Sequence, residues 1–200
     1  MQDILAHNEL YRNACLIISM LLFVVLGVSR VVYPKLFAFV FSFGKLFSFK
    51  YKEDFGTGIR IFNAENFYFS AVLSSLLGYV LITFYLLSPA IELDIDWLRI
   101  NSIWQAILVW LLLSISIQLL FLLKYLFLRF FGWLFALKAS QTKHFQEFQG
   151  LNHLFALFLF FVVSLALYLQ FKFPAFTLEL VAWSAGIYLI YRLLNIFFKI

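Results

Sequence analysis

Five stretches of the chain stay apolar for about the length a membrane helix needs: Ala14–Tyr33, Phe67–Leu87, Ile103–Leu123, Leu151–Phe171 and Ala175–Phe198. About 20 such residues cross a hydrocarbon core as a helix. The runs are continuous, whereas the strands of a membrane barrel alternate apolar and polar residues. In lipid each backbone amide must be paired within its own segment, so every run is predicted as a helix.

Two shorter stretches need separate treatment. "PKLFAFVFSFGKLFSFK", residues 34–50, has Phe at 37, 39, 41, 43, 47 and 49, an alternation that suggests a strand. A helical wheel also accommodates it. Leu36, Phe39, Val40, Phe43 and Phe47 then share one face, with Lys35, Ala38, Ser42 and Lys45 opposite. An open strand edge at membrane depth would leave amides unpaired, so the prediction is an amphipathic helix over residues 35–48. It would lie in the interface, with Phe in lipid and Lys among headgroups. The competing placement lays it across the cytoplasmic face of the bundle. Tyr33-Pro34 ends the first span and starts this helix, because Pro suits a first helical turn. "YLFLRFFGWLFAL", residues 125–137, is about 20 Å long as a helix, too short to cross. Either the third span overshoots, or the chain bends near Gly132. The favoured reading is a helix continuing past Lys124 along the interface.

Composition agrees with a bilayer solvent. Hydrophobic residues make up 64% of the 200, charged residues 12%, and mean hydropathy is +0.97. Soluble domains average roughly 45–50% apolar and about 25% charged. The predicted fold is all-α integral membrane: five transmembrane helices plus the amphipathic interfacial helix, in one polytopic domain over residues 1–200. The net charge of +5 carries no nucleic-acid signal, because its Lys and Arg are dispersed. They do fall unevenly across the predicted membrane. One side has Arg12, Arg99 and Lys172. The other has Arg30, Lys35, Lys45, Lys50, Lys52, Arg60, Lys124, Arg129, Lys138, Lys143, Arg192 and Lys199. The positive-inside rule makes the second side cytoplasmic, with a periplasmic amino terminus, a cytoplasmic carboxyl terminus and the acidic "IELDIDWLR" loop outside. Asp3, Glu9 and the absence of a small-x-small site in "GVSRVVYP" mark the first run as a retained helix. Cys15 is the single cysteine, so no intrachain disulfide forms.

Arg30 followed by "YPK" closing the first span, the Phe-rich "LFAFVFSF", and "LLKYLFLRFFGWLF" after the third span together carry a resemblance. The chain resembles the Bacteroidetes inner-membrane family catalogued as domain of unknown function 4271. The resemblance covers nearly the whole chain. It implies a bacterial inner-membrane protein and names no reaction.

Candidate chemistry is sparse. His144 and Glu147 lie i, i+3 apart, and His153 is the only further candidate ligand nearby. A metal site needs three or four ligands, and no second axial residue at matching depth supports haem, so no metal or cofactor is expected. The serines within spans have no base in helical reach. Ser70, Ser74 and Gly78 recur every four residues, as do Ala182 and Gly186. That spacing of small residues suits close helix packing. Lys124, Arg129, Arg192 and Arg30 sit at the cytoplasmic ends of spans. They either snorkel to phosphates or form a basic pocket for an anionic lipid or a partner carboxylate, with Gln118 and Asn195 as polar lining. The expected function is non-catalytic: a subunit or assembly factor of an envelope complex, with protein partners in the inner membrane. The alternative is a lipid-handling or small-molecule protein using the basic pocket.

Overall fold

The computed structural model describes residues 2–41, 63–87, 100, 102–134, 138–168, 183–184, 186–188 and 190. For residues 2–8 and 138–150 it describes the helical backbone alone. Five helices make up the described part: α1 (Gln2–Val32), α2 (Pro34–Val40), α3 (Ala64–Leu87), α4 (Ile103–Leu134) and α5 (Lys138–Tyr168). Four of them contain stretches long and apolar enough to cross a membrane: Glu9–Val32, Ala64–Leu86, Ile103–Leu134 and Leu151–Tyr168. Most of the fifth sequence-predicted span, 175–198, lies outside the described residues, as do residues 42–62 and 88–99.

α3 is the central helix, packed against α1, α4 and α5. Of its span, 72% is buried, against 17% for α4. Pairwise contacts fix the directions. Ser29 of α1 meets Tyr68, Gln118 of α4 meets Ser70 and Ser74, and Trp110 reaches Ser75. On α5, His153 meets Phe69 and Ser164 meets Tyr79. Residue numbers on α4 therefore fall as those on α3 rise, and numbers on α5 rise with them. α1 is antiparallel to α3, since Phe23 lies against Phe160 and Phe160 against Tyr79, far along α3 from Tyr68. The spans alternate in direction, as an up-and-down bundle requires.

The Tyr33-Pro34 break behaves as the sequence implies. α1 ends at Val32, Tyr33 leaves helical geometry at φ −126° and ψ 59°, and Pro34 opens α2. Of the predicted helix over 35–48 the described part is α2, and its position follows the competing placement, against the end of the bundle. Its helical residues end at Val40, a seven-residue element, and 42–48 lie outside the described residues. Val40 is fully buried, and Phe37 and Phe41 pack against the core. The Phe41 ring lies 6.5 Å from that of Phe69 and 5.8 Å from the imidazole of His153. This much of the segment covers the end of the bundle, and Phe37 and Phe41 face the core instead of lipid. The Pro turn brings α2 against α5, and the side chains of Phe39, Phe43 and Phe47, the Phe of the predicted lipid face, lie outside the described residues.

The third span is longer than the predicted 103–123. α4 is one uninterrupted helix through Leu134, 32 residues or about 48 Å. The described chain does not bend ahead of Gly132, since residues 125–134 continue the same helix.

Candidate functional site

The buried polar side chains gather on α3. Asn66, Ser70, Ser74 and Gly78 follow one another at four-residue steps and are all buried. Their face meets α4. The hydroxyls of Ser70 and Ser74 both donate to Gln118 Oε1, each at 2.9 Å. Ser74 has one proton and two acceptors, since the Ser70 carbonyl also lies 2.9 Å away, so that proton is shared. Both hydroxyls direct their protons at an amide or a carbonyl, and neither meets a base that would make it a nucleophile. Gln118 is therefore turned into the α3–α4 seam. Its Nε2 is enclosed and has no hydrogen-bond partner among the described residues.

One turn further along α3, Gly78 sets the closest approach in the seam. A Cβ built on it would lie 2.6 Å from Ser114 Oγ and 3.3 Å from the Ser114 backbone nitrogen. The absent side chain lets the backbones meet, the usual device where lipid offers no hydrophobic drive for helix association. Trp110 Nε1 then donates to the Ser75 carbonyl at 3.0 Å, fixing the bulky indole across the interface. The hydroxyls of Ser75 and Ser114 donate back to carbonyls four residues earlier and are satisfied within their own helices.

The other faces of α3 hold α5 and α1. His153 is fully buried, with Nε2 2.7 Å from the Phe69 carbonyl. A carbonyl accepts only, so Nε2 carries the proton and donates. The structure places it inside the bundle, beside Phe69 in the early turns of α3 and edge-on to Phe41. Tyr79 OH lies 3.2 Å from Ser164 Oγ, and Ser29 Oγ lies 2.9 Å from Tyr68 OH. Among the described residues no three His, Cys, Asp or Glu side chains gather as a metal site, and the side chains of His144 and Glu147 lie outside the description.

Three candidate cations of the sequence analysis, Arg30, Lys124 and Arg129, lie toward one end of the bundle. Arg30 is in the last turn of α1 and exposed. Lys124 is half-buried and Arg129 exposed on the late turns of α4. Lys124 and Arg129 each take part in an interaction. Arg192, Asn195 and Ala182 lie outside the described residues. Gly186 is described, and among the described residues nothing lies within 4 Å of where its Cβ would be, unlike at Gly78. Nearby, Tyr188 OH donates to Asn152 Oδ1 and its ring stacks on Phe155 at 4.4 Å.

Interhelical hydrogen bonds in membranes are worth about 0.6 kcal/mol on average and rarely exceed about 1.7. A double-mutant cycle between Gln118→Leu and Ser74→Ala should return a coupling energy in that range. Gln118→Leu alone should cost little, about 1 kcal/mol or less, because it also removes an enclosed, unpaired donor. Unfolding in mixed micelles measures both, and a coupling of zero would show that the seam is held by shape alone.

The four-residue spacing pointed to Ser70, Ser74 and Gly78. It gave no sign of Tyr79, Trp110 or His153, whose partners are a hydroxyl and two backbone carbonyls far away in sequence. A family model described as domain of unknown function (DUF4271) matches residues 15–200. No curated protein and no solved structure is similar enough to match.

Proposed function

The chain belongs to the domain of unknown function 4271 family, and on that premise we propose that it is a non-catalytic, multi-pass protein of the bacterial inner membrane, a subunit or assembly factor of an envelope complex. One observation carries this reading. Buried polar groups of the described bundle join helices to α3: the Ser29 and Tyr68 hydroxyls, the Gln118 amide, the His153 imidazole, and the Tyr79 and Ser164 hydroxyls. A protein with these polar groups committed to its own assembly acts through its surface.

The topology that fits this reading has five spans, the last over 175–198. Support comes from Tyr188, helical and packed on Asn152 and Phe155 as an antiparallel partner of α5 would be. With five spans the excess of Lys and Arg puts the amino terminus in the periplasm and the carboxyl terminus in the cytoplasm.

A second reading, lipid or small-molecule handling at a cytoplasmic-side basic pocket, is favoured by Arg30 and Lys124 lying near one level, with Arg129 about 7.5 Å further along α4. Arg192 and Asn195 would complete that pocket. Crosslinking in native membranes followed by mild solubilisation and pull-down separates the two. The subunit reading expects a membrane protein captured at fixed stoichiometry. A chain that purifies alone with bound phospholipid, lost on Arg192→Ala, overturns it in favour of the second.

A further inference from the structure

The register between helices fixes where α4 passes the end of α3; α5, with His153 level with Phe69, passes it as well through residues 138–147. Gln118 is level with Ser70 and Ser74, and Ser114 with Gly78. At 1.5 Å per residue, the first residue of α3, Ala64, is then level with about residue 125 of α4. Leu126–Leu134 therefore extends past α3 by about 13 Å. Its large side chains are half or more exposed: Leu126, Phe127, Phe130, Phe131, Trp133 and Leu134. Together they present on the order of 600 Å² of apolar surface, as much as the largest patch on an ordinary soluble protein. Arg129 is exposed among them.

The exposed side chains of α4 change character along its length. From Leu108 to Leu126 the large ones are Leu and Ile, with Ser116 bonded back to the Leu112 carbonyl, a stretch of about 27 Å, close to the hydrocarbon thickness of a bilayer. Beyond that they are Phe127, Phe130, Phe131, Trp133 and Leu134 around Arg129, and of these Trp133 and Arg129 are the residues suited to the headgroup layer. Trp104 at the opposite end is 79% exposed and Trp133 is 73% exposed. They stand about 43 Å apart along the helix, which is the thickness of a bilayer including its headgroups. The stripe is also continuous. Leu112, Ile115, Leu119, Leu123, Leu126 and Phe130 follow at three- and four-residue steps, so the face that meets lipid inside the membrane runs unbroken into the overhang.

We propose that the end of α4, Phe127–Leu134, is a headgroup-binding element: it sits in the phosphate layer of the leaflet at the amino-terminal end of α3, and Arg129 binds an anionic phospholipid there. This inference rests on the bilayer as solvent and not on any protein partner, so it stands or falls separately from the subunit reading.

Site-directed spin labels test it. Single cysteines replace Ile115, Phe130 and Leu134, positions exposed enough to accept a label without refolding the core; Cys15 is fully buried and stays unlabelled. The protein is reconstituted in phosphatidylglycerol-containing and in pure phosphatidylcholine vesicles. Collision with oxygen should dominate at residue 115, and residues 130 and 134 should report the depth of the lipid phosphates. Strong collision with an aqueous nickel chelate at 130 and 134 overturns the proposal, because the overhang then stands in water. So does shielding from both reagents, which means protein covers it, a second copy if the shielding follows the protein-to-lipid ratio. The anionic component is read with a spin-labelled phosphatidylglycerol probe. Its association should exceed that of the phosphatidylcholine probe several-fold and fall to parity in Arg129→Gln. Equal association in the unaltered protein overturns that component.

Discussion

Gly78→Leu is expected to prevent α3 and α4 from docking, leaving protein that inserts but does not purify as a monodisperse species. The reason is geometric. Even the first carbon of a side chain at residue 78 meets Ser114 Oγ at 2.6 Å and the Ser114 backbone nitrogen at 3.3 Å. The hydroxyl can rotate away, at the expense of its 2.8 Å bond to the Trp110 carbonyl. The backbone nitrogen cannot move without shifting the whole helix. Leucine adds three more carbons in the same space. A shift large enough to admit them opens the Gln118 and Trp110 contacts on either side, so the effect extends along the seam. Gly78→Ala should be milder, about 1–3 kcal/mol of destabilisation, the usual range for overpacking. Ser114→Gly in the Gly78→Ala background should recover part of that loss. Size-exclusion profiles and thermal unfolding in detergent measure all three variants. A monodisperse Gly78→Leu protein with unchanged melting would show that the crossing is looser than these distances.

Phe160→Ala is the second large effect. Phe160 is fully buried where three helices meet, with its ring 4.9 Å from Phe23 of α1 and 5.3 Å from Tyr79 of α3. In a soluble protein this substitution would forfeit both transfer from water and packing. Here the unfolded reference is also surrounded by hydrocarbon, so the transfer contribution largely cancels and the cavity remains. A cavity of roughly 100 Å³ left open costs about 2 kcal/mol, and the melting temperature should fall by about 4–8 °C. Phe161→Ala is the control. Its neighbour is 49% exposed, so truncation there removes mostly lipid contact and should leave the midpoint nearly unchanged. Equal losses at 160 and 161 would mean that the two rings do not differ in environment as the fold requires.

The spans were legible in sequence because the bilayer imposes a length and a polarity that few other environments share. Continuous runs of Leu, Ile and Phe gave the positions of α1, α3, α4 and α5 to within a turn at most of their ends. The end of α4 was legible in part, as a helix continuing past Lys124, which the structure carries to Leu134. Lys124 and Arg129 look like a membrane boundary, yet nothing in residues 125–134 breaks a helix, so the structure carries the element on. The orientation of α2 was harder still. A Phe-rich amphipathic face satisfies lipid and a bundle floor equally well, and only the three-dimensional position of His153 and Phe69 decides between them. The polar seam was half visible. Small residues every four positions mark a close approach without saying which helix approaches. Gln118 read as a lining residue near a pocket because its partners, 44 and 48 residues away, leave no local trace.

The centrality of α3 bears on the order in which this protein is made. α1 leaves the ribosome first, but most of what it will pack against lies beyond residue 63. Its two buried hydroxyls are provided for in the interval: Ser19 bonds the Leu16 carbonyl and Ser29 the Val25 carbonyl, within the helix itself. α1 can therefore enter the lipid alone with both of these hydroxyls paired. The last steps of biogenesis would then be lateral recruitment of α4 and α5 by a helix already threaded, and a ribosome arrested before residue 64 would leave a single stable anchor in place of a half-built bundle.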